Sequence, residues 1–586
     1  MTTSPMHQTL TEATALHQAG RLTEAEATYL QLLLAEPGHA GIRHLLGLVL
    51  HQQGRTAEAL PHLEGAARSL PHLAEVHLHH GIALRTLGRS DQAAACHRRA
   101  IDANPDLAEA YLSLGNALDD QGLVAQAARA WSQALRRDPN QAEAAHALAN
   151  ALANLGRFDE AQAAYRHALT LRPDPATWSD YLLCLHYVPG LAPDAIAAAH
   201  FEYGRQLAPL AEGVHHANDR SPERCLRVGY LSTSFTTHSL AGYFCRDVLL
   251  GHDPRRIQMV CYSGGAIDHG QVVPPDALVR RIGGLDDEAL VAQIRADAID
   301  VLVDLDGHMH GNRLPALARK PAPVQLTWAG YPDTTGLAAI DALITDSWQT
   351  PLGTEALHSE RLLRLGCPYI AYAPPLDAPL PLPPPLLERR HVTFGCLNKL
   401  AKINPEVVAL WARLLHAMPD ACLLLKARPL ADADVRAMYQ ARFAAHGITA
   451  ERLSLEGGAP HRELMAAYNE IDVALDPFPY SGGITTLEAL WMGVPVVTLG
   501  GGRTMAARHS LGHLNALGLD DWIAGSPDDY LAIAVRLAED PNLLGFLRRE
   551  LRPMMMASPL CAWPRLVATL EEAYRMLWRR WLASAA

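Results

Sequence analysis

Two lysines, Lys399 and Lys402, stand in CLNKLAKINPEVVALW (396–411), on a short loop between an apolar run and a helix opened by Asn404 and Pro405. A lysine there can neutralise a leaving nucleoside diphosphate, whose charge grows in the transition state. The bland alternative is a solvated surface lysine, the usual fate of that residue. Further on, DPFPYSGGITTLEALWMGVPVV (476–497) ends a strand at Asp476, passes through a glycine-containing loop, and begins a helix at Thr485 and Thr486. Backbone N–H groups and hydroxyls at a helix N-terminus form a ready site for a pyrophosphate. Glu488, a turn later, can accept hydrogen bonds from ribose hydroxyls. An ordinary strand–loop–helix unit with capping threonines would look the same locally.

Three further loops follow strand-like runs. STSFTTHSLAGYF (232–244) presents His238. A lone histidine is more often structural than catalytic, but its place at the carboxyl end of a strand raises its standing. In WAGYPDTTG (328–336), Gly330 and Gly336 permit close backbone approach to a sugar. DLDGH (304–308) carries a D-x-D pair, a metal–diphosphate motif elsewhere; here it closes a buried strand with no second ligand cluster. Asp304 and Asp306 therefore read as structural or acceptor-side residues, and no essential metal is expected.

The elements that must hold these loops are parallel strands covered on both faces, because their runs are almost continuously apolar. LRVGYLS (226–232), IQMVCYS (257–263), IDVLVDLDG (299–307), VQLTWAG (324–330) and ALITD (342–346) build one set; HVTFGCLN (391–398), ACLLLKAR (421–428), RLSLEG (452–457), DVALD (472–476) and VPVVTLG (494–500) build another. Between them lies APPLDAPLPLPPPLLERR (373–390), a proline-rich, semi-rigid connector. Two doubly wound, Rossmann-like α/β lobes with a cleft between them are expected, with ligands outside the carboxyl ends of the strands.

The first third is different. Pro37, Pro71, Pro105, Pro139 and Pro173 recur at one period, as do Gly20, Gly54, Gly88, Gly122 and Gly156, and Ala25, Ala59, Ala93, Ala127 and Ala161. Small residues keep the same phase at Ala13, Gly47, Gly81, Gly115 and Ala149, where two helices must touch. The glycine ends one helix in a left-handed conformation and the proline ends the next. This resembles the tetratricopeptide-repeat (TPR) pattern, which implies an α-solenoid of five repeats of a kind that commonly binds peptides or proteins; an array that only caps or dimerises the rest is the alternative. The domains expected are a repeat array (1–175), a helical connector (176–222), a first lobe (223–372), the proline-rich connector (373–390) and a second lobe with a closing helix (391–586).

Composition sets limits. The chain has 586 residues, enough for three or four domains at roughly 150 each. Nine scattered cysteines without a C-x-x-C pair fit reduced thiols in a cytoplasm rather than a disulfide framework or zinc site. A formal charge of −12 opposes nucleic-acid binding. No apolar run suits a membrane span, and the first residues lack the pattern of a secretory signal. No membrane and no nucleic-acid partner are expected.

Taken together, RKPAPVQLTWAGYPDTTGL, LNKLAKINP and the T-T-x-E…G-x-P-V segment resemble glycosyltransferase family 41, the O-GlcNAc transferases and SPINDLY-type protein O-fucosyltransferases. The resemblance implies a GT-B fold behind a TPR superhelix and an inverting, metal-independent transfer to serine or threonine hydroxyls of proteins, with no cofactor beyond the nucleotide sugar. It makes His238 the first-lobe active-site histidine, and Lys402 the lysine that stabilises the departing diphosphate. Lys399 matches a nucleotide contact, Ala459 and His461 hold base and ribose, and Thr485 and Glu488 contact diphosphate and ribose. Gly483 and Ile484, with Thr485, stand where animal members have His-Thr-Thr. FTTHS, NKLAK and PFPYSGGITT are nearer the SPINDLY type, so the donor is UDP-GlcNAc, favoured here, or GDP-fucose. Acceptor proteins would reach the cleft through the TPR groove, and the array leaves a homodimer open. A non-catalytic TPR adaptor that senses nucleotide sugar, and transfer to a lipid or glycan, are the competing readings.

Overall fold

The structure, a computed structural model, describes residues 5–208 and 214–584; residues 209–213 of the expected connector lie outside them. The chain divides into two compact units, 1–172 with 431–435 and 173–430 with 436–586.

The first unit holds five helix pairs: α1 (Pro5–Gln18) and α2 (Leu22–Ala35), α3 (Ala40–Gln52) and α4 (Thr56–Ser69), α5 (Ala74–Thr86) and α6 (Ser90–Ala103), α7 (Ala108–Asp120) and α8 (Val124–Arg137), α9 (Ala142–Asn154) and α10 (Phe158–Leu171). The periodic glycines sit at the turns with positive φ, from +71° at Gly156 to +79° at Gly54. At the first of them the amide of Arg21 reaches back to the Leu16 carbonyl, closing the helix end. The in-phase small residues are steric requirements. A Cβ on Gly81 would run into the His97 ring, and one on Gly115 into Trp131. Trp131 is buried, and truncating such a side chain to alanine costs about 3–5 kcal/mol.

The second unit opens with another helix pair, α11 (Pro175–Leu185) and α12 (Pro193–Leu207). Gly190, at φ +69°, and Ala195 continue the glycine and alanine phases of the repeats, so the expected connector is itself a repeat-like hairpin. Two parallel sheets follow. The first contains β1 (Leu226–Ser232), β2 (Ile257–Ser263), β3 (Leu278–Arg281), β4 (Val301–Asp304), β5 (Val324–Thr327), β6 (Ala342–Asp346) and β7 (Arg361–Leu365), in the order β3-β2-β1-β4-β5-β6-β7. The second contains β8 (Thr393–Cys396), β9 (Cys422–Lys426), β10 (Leu453–Glu456), β11 (Val473–Leu475), β12 (Val496–Leu499) and β13 (Ile523–Ala524), in the order β10-β9-β8-β11-β12-β13. This is the expected GT-B architecture of two Rossmann-like lobes.

The proline-rich connector runs along the second lobe: the Leu382 amide donates to Asn469 Oδ1 (2.8 Å), and Arg552 Nη2 donates to the Pro379 carbonyl (2.7 Å). The closing helix, Trp563–Ser584, returns to the first lobe. There the Tyr574 and Tyr230 hydroxyls lie 3.0 Å apart, and Glu571 Oε1 accepts from the Asp253 amide at 3.0 Å. Among the described residues, no helix is long and apolar enough to cross a membrane.

Candidate active site

Each sheet order reverses once, between β1 and β4 and between β8 and β11. A crevice opens at the carboxyl ends of strands where connections leave in opposite directions. The loop bearing His238 follows β1 and DLDGH follows β4; the lysine loop follows β8 and PFPYSGG follows β11. These four segments thus lie at the two switch points, and WAGYPDTTG follows the adjacent strand β5.

Lys402 is 8% exposed. Its Nζ donates to the Ser481 carbonyl at 2.7 Å and to Asn398 Oδ1 at 3.2 Å. Burial pulls the ammonium down to about 8, with the nearby Asp476 carboxylate opposing the shift. Asp476 is itself held by the Gly482 amide (2.6 Å) and the Thr498 hydroxyl (2.6 Å), while burial pushes its carboxyl up. Ser481 is fixed in turn: its Oγ donates to the Ala506 carbonyl at 3.0 Å and accepts from the His509 amide at 3.0 Å. A buried cation with two fixed acceptors keeps a donor for an anion in a site largely closed to water.

The helix Ile484–Trp491 starts beside this lysine. Thr485 Oγ1 donates to the same Asn398 Oδ1 at 2.9 Å, and the Thr486 and Ser510 hydroxyls lie 2.7 Å apart. Gly482 has no room for a side chain, since a Cβ would press on Thr486 and Asp476. A cavity of about 350 Å³ lies here, lined by Gly330, Lys399, Lys402, Gly483, Ile484 and Thr485 among others. Gly330 owes its identity to close packing, because a Cβ would strike the Leu305 carbonyl.

The remaining expected residues gather in a neighbouring cluster. His461 Nε2 meets Glu488 Oε1 at 2.6 Å and the Tyr243 hydroxyl at 3.2 Å, and its ring lies 5.3 Å from that of His238. The bond from Glu488 raises the His461 imidazole above its ordinary value. His238 is exposed, and Ala459 lies two residues before His461, just ahead of the helix His461–Ala467. Glu488 joins this cluster to the cavity, one turn along the helix from Thr485.

Other participants carried no legible signal. Asn398, Ser481, Tyr480 and His509 become meaningful only once β8 and β11 are neighbours. The α11–α12 pair also reaches the cavity, where Leu183 and Tyr187 form part of the wall. It is clamped to the first lobe by His200 Nε2 and the Tyr331 hydroxyl (2.8 Å) and by Ser179 Oγ and His308 Nδ1 (3.0 Å). Gly204 and Gly336 let α12 and the 328–336 loop touch backbone to backbone. The glycine and alanine phases continuing to Gly190 and Ala195 were the signal that could have revealed a packed hairpin here.

Asp304 and Asp306 are spent on the chain itself. Asp304 accepts from the Asp306 amide (3.2 Å), the Gly307 amide (2.9 Å) and the Thr327 hydroxyl (3.2 Å); Asp306 accepts from Ser232 Oγ (3.0 Å) and the Thr233 amide (2.6 Å). Burial pushes them up to about 6 and about 7.

Comparison with known proteins agrees with this architecture. The model of glycosyl transferase family 41 matches residues 206–370 and 386–569, and a tetratricopeptide-repeat model matches 10–74, 78–142 and 112–176. The chain is similar to a Solanum lycopersicum protein named probable UDP-N-acetylglucosamine–peptide N-acetylglucosaminyltransferase SPINDLY, at 37% identity over 414 residues, 68% of this chain and 44% of that one. An Arabidopsis thaliana protein with the same activity in its name, SEC, is 30% identical over 60% of this chain and 37% of its own length. The chain thus spans less than half the length of these curated relatives. Among solved structures, a mutant O-GlcNAc transferase from Thermobaculum terrenum superposes with a TM-score of 0.79 at 35% identity, covering 88% of this chain and 98% of that one.

Proposed function

The chain belongs to glycosyl transferase family 41, and on that premise we propose that it is an inverting protein O-glycosyltransferase moving N-acetylglucosamine from UDP-GlcNAc to serine and threonine hydroxyls. One observation carries the reading: a buried, doubly anchored Lys402 ammonium faces the same cavity as the helix start at Gly483–Thr485. Positive charge and N–H dipoles fixed in advance favour a state in which a diphosphate gains negative charge, an effect worth on the order of 10²–10³ in rate per group.

In this account Ala459 and His461 hold base and ribose, Glu488 the ribose, Lys399 the nucleotide, and Gly483, Ile484 and Thr485 the diphosphate, with Gly330 backing the sugar. The acceptor oxygen bonds to the anomeric carbon from the face opposite the diphosphate as the carbon–oxygen bond to phosphate breaks. The electron pair leaves with the diphosphate, opposite Lys402. His238 orients the sugar or takes the acceptor proton. Lys402 and the helix start, rather than a metal ion, are set against the leaving charge. The repeat array brings acceptor proteins from the cytoplasm, and the names of the relatives support a UDP-linked donor.

The test is calorimetric titration with UDP and with GDP in the presence of EDTA, followed by mass spectrometry of co-expressed proteins. Preference for UDP, with N-acetylhexosamine on serine or threonine, is expected. Preference for GDP would move the assignment to fucosyl transfer, and binding of neither would leave an adaptor built on the repeats.

A further inference from the structure

Lys402 has a second kind of neighbour. Its Nζ lies 4.0 Å from the centroid of the Tyr480 ring. The Tyr480 ring stacks on Tyr187, with centroids 5.3 Å apart and planes 15° from parallel. The Nζ of Lys399 lies 5.4 Å from the Tyr187 centroid. Two rings therefore stand between the two lysines of the NKLAK loop, and one of them comes from neither lobe. Tyr187 follows α11 and is 5% exposed.

An ammonium is attracted to the face of an aromatic ring, most strongly where water is excluded. For Lys402 that attraction helps only if the Tyr480 plane is held. Tyr480 sits on the loop after β11, and its ring touches His186 edge-on at 6.3 Å and tilts against His509 at 6.2 Å. The parallel contact is Tyr187, on a hairpin whose clamps to the first lobe have been described. The Ser481 carbonyl and Asn398 place the Lys402 nitrogen from the second lobe; the ring stack places it from outside that lobe.

We propose that Tyr187 is a positioning residue for the transfer, setting the Lys402 ammonium through Tyr480 and contacting Lys399 directly. The proposal rests on the reading that Lys402 faces the departing diphosphate. It also gives α11–α12 a part in the reaction.

The test compares Tyr187→Leu, which fills the space without a ring face, with Tyr187→Phe, which keeps the ring. Steady-state transfer from UDP-GlcNAc is measured, together with competitive acetylation of Lys402 across pH, read by peptide mass spectrometry. The leucine variant is expected to lose about tenfold in kcat with KM within about twofold, and to lower the Lys402 titration midpoint by about half a pH unit or more. The phenylalanine variant is expected to restore both. Tyr187→Met replaces the leucine variant if that one does not fold. A folded leucine or methionine variant with the parent's kcat and midpoint would overturn the proposal, as would a phenylalanine variant as impaired as leucine. The acetylation arm needs no donor. A shifted midpoint without transfer in any variant would sustain the positioning and sink the function, whereas transfer unaffected by any variant would do the reverse.

Discussion

Lys402 and Thr485 share one oxygen: Asn398 Oδ1 accepts from the lysine Nζ at 3.2 Å and from the threonine hydroxyl at 2.9 Å. The lysine loop after β8 and the helix start after β11 are therefore tied at the point where the diphosphate is proposed to sit. Asn398→Ala should free both groups at once. Misplacing a catalytic group by about 1 Å costs roughly 10²-fold, so kcat should fall by about 10- to 100-fold in a variant that melts like the parent. A variant with unchanged kcat would show that the shared oxygen does not set the geometry.

Burial holds the Lys402 ammonium down to about 8. If the charged form acts, kcat/KM for the donor is full below that value and falls as pH rises through it. A bound diphosphate opposes deprotonation, so the corresponding limb in kcat should lie higher. Stability moves the other way. Between about 8 and the unfolded lysine value near 10, the unfolded chain binds the extra proton, and this group stabilises the fold as pH rises. A rate profile from pH 6 to about 10, read beside melting curves, separates the two effects; a flat kcat/KM across that range would count against Lys402.

Glu488 ties His461 to the helix that carries Thr485. Glu488→Ala should weaken UDP binding about tenfold, the scale of a lost hydrogen bond to a charged group, with a smaller effect on kcat. Calorimetry reads the first and single-turnover rates the second. The His461 imidazole is raised by its bond to Glu488, so that contribution to stability is full below the unfolded histidine value and is lost as pH rises through the folded one. The melting gap between the parent and Glu488→Gln should therefore be wider at pH 6 than at about 9. A gap that widens with pH would reverse the assignment.

Gly115 faces Trp131 at a distance no Cβ can occupy. Gly115→Val should destabilise the repeat unit by about 1–3 kcal/mol through overpacking, seen as an earlier melting transition, while UDP binding persists. Loss of UDP binding in a variant whose second unit remains folded would contradict this division of labour.

Much of this molecule is legible in the sequence because steric demands repeat. Glycines with positive φ and small residues against Leu63, His97 or Trp131 must recur wherever the same helices meet. Central strands such as β1 and β4 read as apolar runs because helices cover both faces. The edge strand β3 (LVRR) and the outer strand β7 (RLLRL) do not, being partly exposed and charged. At the site, Lys402, Thr485 and Gly483 stand out in recognisable segments. Asn398 is an ordinary loop asparagine until β8 and β11 pair, and Tyr187 lies more than two hundred residues from the lysines and tyrosine it joins. Local pattern records what an element needs for itself, whereas contacts between distant elements require the fold.

The most direct test is turnover by Lys402→Ala, with UDP release and glycosylated product both measured and folding checked by melting and by UDP calorimetry. The account predicts a folded protein that still binds UDP while transfer falls by at least about 10²-fold, the scale of losing a fixed positive group opposite a developing charge. Retained transfer in that folded variant would contradict it.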